Sequence, residues 1–294
     1  MLKKTMLFST IIFVTCLLVS CKVSKATRSI SISEHKSEEQ ITALSDTLEL
    51  RESERITTRY LTGGKTYMWI LAGRKDISNL YSWLDNLSFE SIQFEDNKRP
   101  HIDTIINAYH FTMDNGEFAY INNGDAATYI LYKDNWYRVK NPSLPPEKPT
   151  PPRVTENSKV PVEYTSEMAI LDGCYVNLHG IIGNDEVMDT FINKVQNKES
   201  AFARHVEFTI EGDPIITDFS YDSKEFTVTR DTTRDKFGSG SIKSYHYKNL
   251  VIYEDENTEL YESGKITYYF LTNLSEINKY IFDNGFSHAL LKYD

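Results

Sequence analysis

Short alternating runs of apolar and polar residues, separated by turn-forming residues, dominate the chain from residue 56 onwards. Ile56–Tyr60 and Thr66–Leu71 flank Thr62-Gly63-Gly64-Lys65, which is typical of a hairpin. Five more runs in this part are predicted strands: Phe89–Glu95, Ala108–Met113, Phe118–Asn122, Thr128–Tyr132 and Trp136–Val139. Because the turns between the last four runs are short and rich in Asn, Asp and Gly, the pattern predicts an antiparallel meander.

Two other segments have the apolar spacing of a helix. Their apolar positions are Ile77, Leu80, Leu84 and Leu87 in the first and Val187, Met188, Phe191, Ile192 and Val195 in the second. Asp76 and Asn184 precede these positions in the sequence. They are the expected N-caps, because their side-chain oxygens can accept hydrogen bonds from the first free N–H groups of a helix.

A second series of alternating runs begins after residue 168. The predicted strands are Ala169–Leu178, Val206–Ile210, Ile215–Tyr221, Phe226–Val228, Ile242–Tyr247, Leu250–Tyr253, Ile266–Leu271 and Phe286–Lys292, with a short helix at Ser275–Asp283. Both halves thus have the order strand, helix, meander, which fits an internal repeat and also the commonest way to build such a layer. We predict the α+β class, with two small domains that each consist of a mainly antiparallel meander sheet and one or two packed helices.

Composition divides the chain further. Residues 21–55 are rich in Ser, Glu, Lys and Thr, and this composition predicts a disordered tether. Residues 141–167 begin with a proline-rich run that cannot sustain a helix or an inner strand. We interpret them as a semi-rigid linker between an N-terminal domain, residues 56–140, and a C-terminal domain, residues 168–294. The alternative is a proline-rich ligand for an aromatic groove.

The N-terminus has the form of a secretory signal peptide, residues 1–20. Lys3 and Lys4 precede an apolar run of 14 residues, Met6–Val19, which is shorter than the ~20 residues that a membrane-spanning helix needs. An uncleaved anchor is the alternative. Leu18-Val19-Ser20-Cys21 resembles the bacterial lipobox. The resemblance implies that Cys21 carries a lipid and becomes the first mature residue, which would hold the protein on the extracytoplasmic face of the cell membrane.

Charge and cysteine content narrow the possible partners. The chain has 32 basic and 42 acidic residues, a net charge of −10 that becomes −12 when Lys3 and Lys4 leave with the signal peptide. This balance disfavours nucleic acid and anionic headgroups as partners, and it also keeps a secreted protein soluble. Of the three cysteines only Cys174 remains free in the mature chain, so we expect no intramolecular disulfide. A buried thiol is favoured over a nucleophile at Cys174.

Two short constellations offer candidate chemistry and have simpler explanations. Cys174 and His179 lie five residues apart on a predicted strand and therefore face opposite sides of it, which disfavours a catalytic pair. Glu211 and Asp213 flank Gly212 and precede a proline, so turn formation is favoured over acid–base or calcium chemistry. No spacing in the sequence indicates a metal site or a cofactor.

The segment Arg230–Ser241 is the strongest candidate for ligand binding. Arg230, Arg234 and Lys236 lie within seven residues of an otherwise acidic chain. Arginine can hold a carboxylate or phosphate with two parallel hydrogen bonds, and long loops on rigid sheets often carry binding. We predict these three cations to be ligand-binding residues. The alternative is a set of surface ion pairs with the neighbouring carboxylates.

Three segments of the C-terminal half resemble a known bacterial family. They are Val176-Asn177-Leu178-His179-Gly180, Phe208-Thr209-Ile210-Glu211-Gly212-Asp213-Pro214-Ile215 and Asp231-Thr232-Thr233-Arg234-Asp235-Lys236-Phe237-Gly238. Together they resemble the domain-of-unknown-function family four-three-six-two, which is typical of Gram-positive lipoproteins and secreted proteins. The resemblance covers roughly residues 170–294. It implies no assigned reaction and no catalytic residues.

These observations favour a lipid-anchored extracytoplasmic binding or interaction protein. It would be attached to the membrane through Cys21, and its partner would be an envelope protein or a small ligand. The alternative is a cell-envelope enzyme that acts on a wall or peptide substrate. The solute receptor of a transporter is a third hypothesis, which the meander pattern disfavours, because such receptors alternate strands and helices in larger lobes.

Overall fold

A computed structural model of the chain describes residues 53–94, 107–114, 116–122, 127–156, 158–255, 266–278 and 289–293. All of these residues belong to one compact unit. Cys21, the predicted signal peptide and most of the predicted tether lie outside them, as does most of the helix expected at Ser275–Asp283. Within the described ranges, none of the helices has the length and apolar character that a membrane span requires.

The described residues form three helices and sixteen strands. The helices are α1 (Arg74–Asp85), α2 (Ser166–Leu171) and α3 (Glu186–Gln196). The strands before residue 141 are β1 (Ile56–Thr62), β2 (Lys65–Leu71), β3 (Phe89–Ile92), β4 (Asn107–Met113), β5 (Gly116–Asn122), β6 (Thr128–Tyr132) and β7 (Asn135–Val139). The later ones are β8 (Tyr175–Leu178), β9 (Ile181–Gly183), β10 (Ala201–Phe208), β11 (Pro214–Tyr221), β12 (Phe226–Asp231), β13 (Ile242–Tyr247), β14 (Asn249–Asp255), β15 (Ile266–Thr272) and β16 (Ala289–Tyr293).

Thirteen strands make one sheet in the order β13-β12-β11-β10-β8-β9-β2-β1-β4-β5-β6-β7-β3, and a small sheet has the order β14-β15-β16. Neighbouring strands are antiparallel, except that β8 runs parallel to β10 and β2 runs parallel to β9. The predicted α+β class with antiparallel meanders is confirmed. Strands β4 to β7 and β11 to β13 lie where the alternating runs predicted them. The strand predicted at Val206–Ile210 is corrected to β10, which begins five residues earlier and ends before Ile210, a residue of the following turn.

The two halves of the chain meet at β2 and β9. Thr66, Tyr67 and Met68 stand opposite residues 181–183 in parallel register. Beneath this junction, Met68 and Ile70 pack in one buried cluster with residues from the C-terminal half, among them Ile170 and Val206. The sequence did not predict this junction, because β9 has only three residues. Independent folding of residues 56–140 and 168–294 stays a prediction.

Helices α1 and α3 cover the same face of the large sheet. Tyr67 and Ile182 are paired neighbours, and paired residues share a face. Tyr67 packs against the cluster under α1, while Ile182 packs against the cluster under α3. Helix α2 covers the opposite face, where a Cβ added at Gly183 would lie 2.8 Å from Ile170 Cγ1. We call these the α1/α3 face and the α2 face.

Both predicted N-caps are wrong. Helix α1 begins at Arg74 after Gly73, which places Asp76 inside the first turn. Helix α3 follows Asp185, and its N-cap makes no side-chain hydrogen bond. The Asn184 amide instead donates to the carbonyl oxygens of Ile170 and Cys174, each at 2.9 Å. This buried asparagine thus holds the end of α2 and the start of β8 together.

The strand predicted at Ala169–Leu178 is also corrected in its first half. Residues 166–171 form α2, and β8 begins only at Tyr175. Thr165 caps the helix, because its hydroxyl accepts from the Met168 N–H at 3.2 Å. Gly173 reverses the chain with a φ of +84°, which a residue with a side chain rarely adopts. The residues of the predicted strand therefore belong to two elements, α2 and β8.

The described residues of 141–165 contain neither helix nor strand, and we call this segment the strap. Near its start, Ser143 accepts through its carbonyl from the Tyr120 hydroxyl at 2.8 Å. In its middle, Lys148 forms ion pairs with Asp185 and Glu186 at the start of α3. Further on, Val154 and Tyr164 are buried on the α2 face. The strap therefore contacts both halves of the sheet.

Candidate functional site

The segment after β12 is an ordered loop. Thr232 and Ser241 close it, since the Thr232 N–H donates to the Ser241 carbonyl and the Ser241 N–H donates to the Thr232 hydroxyl, both at 2.9 Å. At its tip, Asp235 Oδ1 accepts from the N–H groups of Phe237 and Gly238 at 3.0 and 2.9 Å. The backbone is thus held by hydrogen bonds at the base and at the tip.

Arg234 fastens this loop to the strap. Its Nε donates to the Pro161 carbonyl at 3.0 Å, and its Nη2 donates to the Val160 carbonyl at 3.1 Å. Its Nη1 donates to Asp231 Oδ2 at 2.7 Å. Burial of Asp231 opposes its ionisation, but hydrogen bonds from Thr233 and Arg234 outweigh it and lower the pKa of that carboxyl. All three nitrogens of the predicted ligand-binding Arg234 thus have partners within the chain.

Lys236 projects from the loop into solvent. Its side chain is 80% exposed, and Nζ lies 3.3 Å from Asp213 Oδ1. Its N–H donates to Asp213 Oδ2 at 2.9 Å, and this bond is the largest cause that lowers the Asp213 pKa. Asp213 therefore joins the turn between β10 and β11 to the loop, and its place in this turn confirms the turn interpretation.

Two large apolar side chains are exposed beside Lys236. Phe237 is the next residue and is 78% exposed, while Ile210 is 91% exposed in the turn that Asp213 ends. Val162, which follows the Pro161 carbonyl bound by Arg234, is also exposed. We call Val162, Ile210, Lys236 and Phe237 the display surface. Exposed apolar patches mark interaction sites, and the contacts of Arg234 and Asp213 hold the three segments that carry these side chains together.

Arg230, the third predicted cation, is separate from this surface. It lies in β12, where Nη1 is 3.4 Å from Glu207 Oε2. Both Arg230 and His205 stand opposite Thr217 in the sheet, so all three share the α1/α3 face. Arg234 instead binds strap carbonyls next to Val160, which packs on the α2 face. The structure therefore places Arg234 and Lys236 in one loop and Arg230 elsewhere.

His205 is a candidate functional residue that the sequence analysis missed. Its Nε2 is buried and has no hydrogen-bond partner in the part of the chain that the structure describes. Its ring meets the Tyr175 ring edge-on, with 4.9 Å between centroids. Burial lowers the pKa of His205 to about 4, although Glu207 acts in the opposite direction. His205 precedes the predicted strand Val206–Ile210 and falls on the same side of its alternation as Glu207, so the sequence held no signal for it.

Cys174 is a buried thiol, as predicted. It is fully buried just before β8, with Sγ 3.4 Å from the Tyr164 hydroxyl, which also contacts Asp172 at 2.8 Å. Burial raises the pKa of Cys174 to about 11, so the thiolate is disfavoured. His179 follows β8 in an exposed turn at the other end of the strand. The described residues hold no group of three or more His, Cys, Asp or Glu that could bind a metal ion.

Comparison with known families gives one match. Residues 173–262 match the family model "Domain of unknown function (DUF4362)". These residues lie within the segment, roughly 170–294, whose sequence resembles this family. The match begins at Gly173 and contains β8 to β14, so it includes His205, Arg230 and most of the display surface. Searches of curated proteins and of solved structures gave no match.

Proposed function

We propose that the chain is a lipid-anchored binding protein on the outer face of the cell membrane and that it captures an envelope protein through the display surface. The lipobox-like sequence before Cys21 supports the membrane anchor. The display surface supports binding, and the acidic charge of the chain argues against nucleic acid as the partner.

The observation that carries this proposal is that Phe237 is exposed on a loop whose backbone is fixed. Arg234 holds the loop to the strap, and Asp213 holds it to the neighbouring turn. A loop that is ordered before binding loses little conformational entropy on association. Burial of Phe237 and Ile210 against a partner would contribute about 2 kcal/mol each.

The display surface fits a protein partner that has an apolar pocket with acidic groups at its rim. Aromatic side chains in the centre of an interface are frequent hot spots, and polar residues around them exclude water. Phe237 would fill the pocket. Among the described residues, Lys236 forms one ion pair, with Asp213, and its 80% exposed side chain can meet an acidic rim. Rim charges of this kind affect the association rate and partner choice more than affinity.

Capture from solubilised cell envelopes tests the proposal. The full-length chain should retain a specific partner, and Phe237→Ala should reduce its recovery at least tenfold. Ile252→Ala, which truncates an exposed side chain on β14 of the small sheet, is the matched control and should recover the partner fully. Equal recovery by Phe237→Ala, Lys236→Ala and the unchanged chain would reject the display surface as the binding site.

A further inference from the structure

A groove of about 360 Å³ lies between the strap and the β10–β11 hairpin. Its walls come from strap residues 153–156, from the start of β10 at residues 200–202 and from the end of β11 at residues 220–222. The display surface adjoins the 209–213 turn, which joins the other ends of the same two strands. The groove is therefore a separate site, and inferences about it do not depend on the proposed function.

The only cation in the groove lining is Arg153. No ion pair or hydrogen bond holds its guanidinium within the described residues, whereas Arg204, Arg230 and Arg234 are all paired. Its backbone is fixed on both sides. Pro152 packs so closely on Gly173 that a Cβ there would lie 1.8 Å from the Pro152 carbonyl oxygen, and Val154 is buried. Arg153 is thus a free donor group on an anchored segment.

Two carboxylates stand in the same groove. Asp222 Oδ1 accepts from the N–H groups of Lys224 and Glu225, both at 2.9 Å, and the hydrogen bond from Glu225 is the largest cause that lowers the pKa of Asp222. Glu156 accepts from the Ser220 hydroxyl. Asp222 is therefore ionised and held in place, with oxygen sites still open for a second donor.

The apolar wall completes the groove. Phe202 lines it from the sheet, and Val154 lines it from the strap. Ligand pockets of about 300–1,000 Å³ combine such walls with a few placed polar groups, and this groove lies at the lower end of that range. A ligand that matches the lining has one negative group, one positive group and a small apolar part.

We propose that this groove binds a zwitterionic small molecule of the α-amino acid or dipeptide class. The carboxylate of the ligand pairs with Arg153, since a guanidinium fits a carboxylate with two parallel hydrogen bonds. Its ammonium group donates to Asp222 and Glu156. Its side chain lies against Phe202. This inference assigns the chain a small-ligand site in addition to the display surface.

Titration of the full-length chain with free L-leucine and with L-leucyl-L-leucine tests the inference. At least one of the two should bind saturably and raise the melting temperature. N-acetyl-L-leucine lacks the ammonium group and L-leucinamide lacks the carboxylate, so each should bind at least tenfold more weakly than leucine. Arg153→Ala should abolish binding of the zwitterion and leave the melting temperature of the free protein unchanged, because Arg153 has no partner to lose.

Arg138→Ala is the matched control, because it removes an arginine from β7 in the other half of the sheet and should bind like the unchanged chain. Absence of saturable binding at about 10 mM of both zwitterions would overturn the inference, since this concentration fills a site whose Kd is ~1 mM. Equal binding of leucine and leucinamide would also overturn it, as would undiminished binding to Arg153→Ala. The capture experiment with Phe237→Ala tests the display surface, and its outcome does not affect the binding test of the groove.

Discussion

Arg204 and Asp218 face each other across β10 and β11 and form a two-point ion pair under the strap. Nε lies 2.6 Å from Asp218 Oδ1, and Nη2 lies 2.8 Å from Oδ2. The remaining Nη1 donates to the Ser158 carbonyl at 3.0 Å. Arg204 is only 4% exposed, so the pair joins the sheet to the strap from within the core.

The first prediction is that removal of one partner of this pair strongly destabilises the fold. Asp218→Ala leaves the buried guanidinium without its counter-charge, and loss of one partner of a buried pair costs about 3–5 kcal/mol. Asp218 itself is partly exposed, so we expect a loss near the lower end of that range. Urea unfolding measures it. Glu199→Ala, an exposed carboxylate change, should alter the free energy of unfolding by less than about 0.5 kcal/mol. A similar small effect of Asp218→Ala would contradict the structural role of the pair.

The second prediction separates the two cations of the loop. Arg234→Ala removes three hydrogen bonds and leaves the carbonyls of Val160 and Pro161 without their donor, so the free energy of unfolding should fall by about 1–3 kcal/mol. Lys236→Ala removes an exposed pair and should change it by less than about 1 kcal/mol. Chemical denaturation of both variants checks the difference. If Arg234→Ala were as stable as Lys236→Ala, the guanidinium would be available for a ligand, as the sequence suggested.

These contacts show why the sequence predicted the strands better than the sites. The alternation of apolar and polar residues repeats every two positions, and β4 to β7 and β11 to β13 appear where that pattern places them, whereas β10 begins five residues before the predicted Val206. Two of the three partners of Arg234 are backbone oxygens 73 and 74 residues away, and backbone oxygens have no sequence signature. The alternation of Val206, Phe208 and Ile210 placed His205 on the polar side with Glu207, so no pattern indicated that its Nε2 is buried without a partner among the described residues.

The junction of the two halves could not be predicted from the sequence for a related reason. Ile181–Gly183 is too short to show alternation, and its parallel pairing with β2 joins residues more than 110 positions apart. Helix α2 was hidden because its six residues are too few to show a helical period, and the Asp172-Gly173 pair that separates it from β8 was included in the predicted strand. The cap at Thr165 begins α2, and the chain reversal at Gly173 separates α2 from β8. Both features depend on backbone geometry.

The third prediction concerns this junction. The sequence predicts that residues 168–294 fold when expressed alone. Because the junction is missing from this fragment, we also expect it to be less stable than the whole chain. The fragment lacks Met68 and Ile70, which complete the buried cluster on the α2 face, and it exposes the edge of β9. Urea unfolding followed by circular dichroism should give a cooperative transition at a lower urea midpoint. Addition of residues 56–140 should raise that midpoint. An unfolded fragment would contradict the sequence prediction, and a midpoint equal to that of the whole chain would contradict the role of the junction.

The fourth prediction concerns the anchor. Cys21 follows an apolar run that is too short to span the bilayer, so a lipid on Cys21 is the expected attachment. Cys21→Ala should leave an unprocessed precursor or release the protein from the membrane, as fractionation and immunoblotting would show. Cys174→Ala is the control, since that thiol is buried and should leave processing unchanged. Normal processing and retention of Cys21→Ala would exclude lipid attachment at this residue.

The fifth prediction is a loss of stability at mildly acidic pH that depends on His205. The pKa of His205 is about 4 in the folded protein and about 6.5 in an unfolded chain, so the unfolded state binds the proton first as the pH falls. Its stabilising contribution is complete above pH 6.5 and is lost as the pH falls towards 4, by on the order of 3 kcal/mol in all. Glu207 raises the pKa of His205 and Arg230 lowers it. Asp185 lies near Tyr175, whose ring contacts His205.

Denaturation between pH 7 and pH 5 isolates this effect, because most carboxylates stay ionised there. The unchanged chain should lose about 2 kcal/mol over this range, whereas His205→Phe should show a much flatter dependence. The lowered pKa of His110 contributes the same pH dependence of the unfolding free energy to both proteins, so the difference between them is due to His205. His179→Asn changes an exposed histidine whose φ of +52° asparagine tolerates, and it should keep the full dependence. Equal slopes for His205→Phe and the unchanged chain would mean that His205 has the same pKa in the folded and unfolded states, which would contradict the effect of its burial.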